Sequence, residues 1–287
     1  MKTSSPRYQI EAYQTKREHS MDTAIRFTVV LIACLILACA ILLLLMLFPS
    51  NTAPTVTPTA EAVPAAQTTD HIIPPTEDAG LDYQDTLTFV GDSLTSHLRS
   101  RGVLSGGTAT TQVWATKSGM LNLNSDITSA KIICPGTEQA VTVSEAARIV
   151  QPPVLIVTLG TDWGVSYLSR EEFKHCYGKL IRAVQEASPD TVLVLQSIFP
   201  VLDSCPVLSN ARIDRANEWV RELAAEYDLP YLDTQSVLKD ENGALRVDYC
   251  GSDDGIHLTA SAYQAVLGYI RTHPVTQPTA RREGGLV

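Results

Sequence analysis

The sequence has no basic stripe and no arginine-rich run, and its formal net charge is −9. Nucleic-acid binders need clustered lysine and arginine, so nucleic acid is not an expected partner. No group of cysteines and histidines has zinc-ligand spacing, so no metal is expected. No segment repeats at solenoid periods. No Gly-x-Ser-x-Gly stands anywhere, which argues against an ordinary α/β-hydrolase. Cysteine is scarce. Of six, Cys34 and Cys39 lie in an apolar run, leaving Cys134, Cys176, Cys205 and Cys250. Four cysteines permit three pairings, and the sequence does not choose among them; unpaired and partly paired thiols both stand.

Lysine and arginine are also missing from Pro49 through Leu98, whereas five precede residue 27: Lys2, Arg7, Lys16, Arg17 and Arg26. Between them, Phe27 to Phe48 is 22 residues without a charge. About twenty apolar residues cross a bilayer as a helix. The run exceeds the usual signal-peptide core and lacks a clear small-x-small cleavage site, so a retained anchor is expected. The positive-inside rule then puts residues 1–26 in the cytoplasm and the rest outside. Residues 49–80 hold Pro54, Pro58, Pro64, Pro74 and Pro75 among Thr, Ala and Glu. Such a segment buries no core and reads as an extended linker, reaching at most ~100 Å at ~3.1 Å per residue. It suits a tether into a wall or matrix, or a plain spacer.

From residue 81 to 273 strand-like and helical patterns alternate. Strand-like runs are Thr86–Val90, Gln112–Ala115, Val154–Leu159, Thr191–Gln196 and Tyr231–Leu232. Ser169 and Glu172 form a capping box for a helix to about Ala187; further helices run from Ser209 to Tyr227 and from Thr259 to Thr272. Lys131–Cys134 and Ala140–Val143 read as an inserted β-hairpin. The alternation predicts an α/β fold with a central parallel sheet covered on both faces. The tail 274–287 is expected to be disordered.

The stretch Thr86-Leu87-Thr88-Phe89-Val90-Gly91-Asp92-Ser93-Leu94 places Ser93 at a strand-to-helix junction. Open α/β sheets present reactive groups there, outside the carboxyl ends of the strands. The first N–H groups of a helix lack intrahelical partners, so one serine can supply a nucleophile and an oxyanion donor. Gly, Asp and Ser are also ordinary turn and cap residues, so the tripeptide needs partners. Asp254-Gly255-Ile256-His257, before the last helix, supplies them. A histidine is the usual general base for serine, and a carboxylate on its other nitrogen fixes the tautomer. Other candidates are weaker. His97 lies one helical turn after Ser93, His175-Cys176 sits inside a helix, Trp163 suits the cleft or the core, and Asp92 suits local turn support.

Gly91-Asp92-Ser93-Leu94 after a strand, with Asp254-Gly255-Ile256-His257 before the last helix, resembles the SGNH/GDSL hydrolase superfamily over residues 85–273. The resemblance implies a flavodoxin-like three-layer α/β/α fold and esterase, acetylesterase or acyltransferase chemistry without a cofactor. It implies Ser93 as nucleophile, His257 as base and Asp254 as its orienting partner. It also implies an oxyanion hole from the Ser93 N–H, a glycine N–H, best placed at Gly119, and an asparagine side chain. Here the sequence departs. Gly160-Thr161-Asp162-Trp163 has Asp162 where the family has asparagine. A carboxylate donates no hydrogen bond and repels an oxyanion; losing one such donor costs about 10²–10³ in rate. Three readings stand: Asp162 donates as a neutral acid, it points away, or the site is weak. The expectation is a membrane-anchored extracellular esterase removing a small acyl group, acetyl by preference, from a wall or matrix glycan. The alternatives are a weak or inactive glycan-binding module, a lipase-like enzyme at the membrane surface, and an acyltransferase that needs a membrane acyl-donor partner.

Overall fold

The computed structural model describes residues 71–137 and 139–275. The expected cytoplasmic segment, the apolar run Phe27–Phe48, most of the linker and nearly all of the tail lie outside the described residues. Among those described, no helix is long and apolar enough to cross a membrane. Cys134, Cys176, Cys205 and Cys250 are all free thiols.

Five parallel strands form the central sheet: β1 (Leu87–Gly91), β2 (Val113–Trp114), β5 (Val154–Thr158), β6 (Val192–Gln196) and β7 (Tyr231–Leu232), in the order β2-β1-β5-β6-β7. Each strand feeds a crossover that must pack back on the sheet, so both faces are covered. The side chains show it. Val90, Leu155, Val157, Leu193 and Leu195 enter one core, while Phe89, Val154, Ile156 and Val194 enter the other. That alternation is the period-2 pleat of a strand buried on both faces. Every residue of β5 is buried. Each fully buried Val, Leu or Ile contributes roughly 1.5–3 kcal/mol before chain entropy is subtracted.

The first core is closed by helices α3 (Val143–Val150), α5 (Arg170–Ala187) and α6 (Asn210–Glu226), the second by α2 (Ser93–Ser100) and α7 (Ala260–Thr272). Ser169 caps α5 through the expected box, its side chain accepting from the Glu172 N–H while Glu172 accepts from the Ser169 N–H. Thr259 caps α7 by accepting from the Ala262 N–H.

The hairpin exists as β3 (Lys131–Cys134) against β4 (Gln139–Thr142), a separate antiparallel pair. It stops one residue earlier than the sequence suggests, because Thr142 and Glu145 form a second capping box that starts α3 at Val143. Two further short helices are α1 (Gly80–Asp85) and α4 (Gly164–Tyr167). The described domain also takes in residues 71–80, which composition assigns to the linker. The Ile73 N–H donates to the Tyr231 carbonyl at 3.0 Å and the Tyr231 N–H to the His71 carbonyl at 2.8 Å, adding a bridge at the β7 edge.

One glycine sets the geometry of the first turn. A Cβ on Gly91 would lie 2.1 Å from the Thr158 carbonyl and 2.2 Å from Thr95 Oγ1. Only glycine lets the end of β1 approach β5 and the incoming helix this closely.

Candidate active site

The carboxyl ends of β1 and β5 deliver the two groups at the centre. Asp92 leaves β1 and caps α2, its side chain accepting from the Leu94 N–H at 3.2 Å, which makes Ser93 the first helical residue. The same buried carboxylate accepts from the Thr161 N–H at 2.9 Å, tying the loop after β5 to the turn after β1. Asp92 therefore does more than the local support expected of it, fixing two loops relative to each other.

Ser93 is half-buried, and its Oγ stands 3.2 Å from His257 Nε2. On the opposite side of the ring, His257 Nδ1 lies 2.5 Å from Asp254 Oδ2. The other oxygen, Asp254 Oδ1, accepts from the Ile256 N–H at 2.8 Å, from the His257 N–H at 3.1 Å and from the Ser252 hydroxyl. Partial burial pushes the Asp254 carboxyl up, but these hydrogen bonds outweigh it and hold the group well below the usual carboxylate range. Gly255 adopts φ +75° inside this loop, and its carbonyl accepts from the Leu202 N–H at 2.9 Å, anchoring the turn. Chain folding thus brings Ser93, His257 and Asp254 into one line. A carboxylate on Nδ1 leaves Nε2 unprotonated and facing a hydroxyl, the arrangement needed to remove its proton.

Asp162 does not point away. Its Oδ2 accepts from the Ser93 N–H at 3.1 Å and its Oδ1 accepts from the Ser93 hydroxyl at 3.1 Å. The serine hydroxyl has one proton and two acceptors, Asp162 and His257, and can satisfy only one at a time. The Ser93 N–H is meanwhile turned onto a carboxylate rather than left for a substrate oxygen. Gly119 reaches the same helix: a Cβ there would lie 2.9 Å from Ser96 Oγ. Its own N–H donates to the Thr116 carbonyl at 3.0 Å and is occupied by that turn.

His97, one helical turn after Ser93, approaches the centre as that spacing allows. Its ring centroid is 4.6 Å from that of His257, and its Nδ1 is buried without a partner among the described residues. Burial first, then the neighbouring His257 and Arg101, lower its pKa, and the ring packs on His257. The buried Tyr263 hydroxyl donates to the Leu94 carbonyl at 2.7 Å and braces the Ser93 turn from α7. Nothing in the sequence marks that tyrosine. His175 and Cys176 lie on α5 and line a groove beside Trp163; neither Ser93 nor His257 is among its lining residues.

Asp92 carries a pH signature. Burial, then the charge of Asp162, push its carboxyl up from 3.8 to about 7 against the hydrogen bonds from Thr161 and Leu94. A carboxyl raised on folding keeps its proton longer in the folded chain. Its contribution is therefore complete below about pH 4 and lost as pH rises through about 7. Urea midpoints of the native protein should fall from pH 4 to pH 7 relative to those of Asp92→Asn. Parallel profiles for the two proteins would contradict this reading.

Residues 89–265 match the model of the GDSL-like lipase/acylhydrolase family. No curated protein matches the chain at a significant level. Among solved structures, the chain is similar to a G-D-S-L family lipolytic protein from Desulfitobacterium hafniense, with TM-score 0.45 and 16% identity over 64% of this chain and 97% of that one. It is also similar to a lipase/acylhydrolase from Enterococcus faecalis, with TM-score 0.42 and 16% identity over 64% and 93%. A carbohydrate esterase family 3 protein from Talaromyces cellulolyticus gives TM-score 0.40 and 16% identity over 64% and 93%. These likenesses are too distant to bear on substrate.

Proposed function

The chain belongs to the GDSL-like lipase/acylhydrolase family, and from that premise we propose that it is a serine esterase, anchored in the membrane by Phe27–Phe48 with its catalytic domain outside, that removes a small acyl group, acetyl by preference, from an esterified glycan. The observation that carries the reading is the Ser93 Oγ to His257 Nε2 distance of 3.2 Å with Asp254 at 2.5 Å on the far nitrogen. Location is inferred from the five basic residues before the apolar run and the Pro/Thr/Ala-rich stretch after it.

In the proposed reaction, Ser93 Oγ attacks the ester carbonyl while His257 Nε2 takes its proton. The tetrahedral oxyanion takes the Ser93 N–H, which Asp162 must release. His257 then protonates the departing alcohol, leaving an acyl-Ser93 ester. Water, deprotonated by the same histidine, attacks that ester and leaves the carboxylic acid and a free serine. Ester and water are the only reactants, so no cofactor is involved. Were a sugar hydroxyl to replace the water, the same site would be a transferase, and a membrane partner would have to supply the acyl group outside.

A second reading rests on one specific observation. Asp162 occupies both the Ser93 N–H and its hydroxyl, which suits a family member that binds acylated glycan without turning it over. Substrate class is tested with the full chain on 4-nitrophenyl acetate and 4-nitrophenyl decanoate. Small-ester specificity predicts that kcat/KM for the acetate exceeds that for the decanoate by about tenfold or more. Preference for the decanoate would contradict it and favour a lipase-like enzyme.

A further inference from the structure

We infer that the groove beside Trp163 is a sugar subsite, holding one pyranose ring of the glycan whose ester enters the Ser93 site; the inference rests on the esterase reading and deepens it. Asp162, which touches the nucleophile, is followed directly in the chain by Trp163, which lines the groove. Trp163, the N-cap of the short helix α4, is 40% exposed, and Tyr167 at the end of that helix is 67% exposed. Their ring centroids are 4.6 Å apart with planes tilted by 32°, so Tyr167 packs on Trp163, and of the two it is Trp163 that lines the groove. The adjoining groove has a volume of about 730 Å³, within the range of small-molecule sites.

What the groove displays selects the occupant. Aromatic faces are electron-rich, and the axial C–H bonds of a pyranose present a weakly positive face that stacks on them. Asn124, Ser125, Glu171 and His175 line the same groove and supply acceptors and donors for ring hydroxyls and amides. Of the two carboxylates there, Glu172 is committed to capping Ser169, whereas Glu171 has only a distant pairing with Arg170 at 3.9 Å. Trp163, Leu168 and Cys176 give the groove an apolar lining, which a pyranose face covers while its hydroxyls reach the polar groups. An anionic headgroup would meet the two carboxylates. A neutral or amino-bearing sugar satisfies both demands.

Binding is tested on the full chain carrying Ser93→Ala, so that it is read independently of turnover. Chitotetraose and cellotetraose are titrated calorimetrically, with decanoate as the competing ligand class. The expected result is saturable binding of at least one oligosaccharide, weakened about tenfold or more by adding Trp163→Ala and changed by less than about threefold with Trp163→Phe, which keeps an aromatic face. Binding of neither oligosaccharide overturns the inference. So does equal binding by the Trp163→Ala and parent proteins, or a groove that takes decanoate in preference. Failure of the esterase reading is separately visible: the wild-type chain would then show no ester turnover while its Ser93→Ala form still binds sugar through Trp163.

Discussion

Replacing Asp162 by asparagine should raise kcat on 4-nitrophenyl acetate by about 10²–10³, with little change in KM. The two carboxylate oxygens of Asp162 each accept from Ser93, one from its N–H and one from its hydroxyl, both at 3.1 Å. Three penalties follow for turnover. The hydroxyl proton is drawn toward a group other than His257. The backbone donor that would stabilise the oxyanion is already engaged. A negative carboxylate stands where negative charge develops. Asparagine has nearly the same shape, so it leaves the loop held by Asp92 undisturbed, yet its NH₂ can donate toward the oxyanion. Because that interaction exists only in the transition state, the gain falls on kcat. A binding module with no competent chemistry would gain nothing. A loss of activity would show that Asp162 takes part in proton transfer and would reverse its role in this account.

Asp254→Asn should have the opposite effect, lowering kcat by about 10⁴. The expected loss is large because the substitution changes one atom that matters. Asp254 Oδ1 accepts from the Ile256 and His257 N–H groups, and an asparagine Oδ1 still can. The loop therefore stays, and melting temperature should change little. The atom that changes faces His257 Nδ1 at 2.5 Å. An NH₂ there donates, which forces Nδ1 to accept and puts the ring proton on Nε2, against Ser93. The base is then blocked by its own proton. Steady-state kinetics beside a thermal melt checks both halves. A comparable loss of stability would mean that Asp254 serves the fold rather than the tautomer, and near-native kcat would remove it from the mechanism.

Much of this organisation is legible in the sequence wherever local chemistry decides it. The apolar run Val154-Leu155-Ile156-Val157-Thr158 is too short for a helix and too apolar for an exposed strand, so it can only be a central one. Ser169 with Glu172 announces the start of α5, because two orphan N–H groups find partners in one tetrapeptide. Ser93, His257 and Asp254 are legible because each sits in a short motif before a helix. Thr142 with Glu145 carries the same capping signal as Ser169 with Glu172, but the preceding β-like residues hide it behind the hairpin. What stays hidden is set by contacts between distant segments. The identity of Asp162 signals a missing donor, but only the packing of the loop after β5 against the turn after β1 reveals that it grips Ser93. His97 shares a helical face with Ser93 by its spacing, but its packing on His257, in the loop before α7, comes only with the tertiary fold. Trp163 is equally suited to core or cleft by composition; only the tertiary fold leaves it exposed at the N-cap of α4.

The central claim is that Ser93 is the nucleophile of an ester hydrolysis. The most direct measurement is turnover of 4-nitrophenyl acetate by the full chain beside its Ser93→Ala variant, at equal concentration and with matched melting temperatures. Turnover by the native chain should fall by about 10³ or more in Ser93→Ala. Equal rates in the two proteins would contradict it.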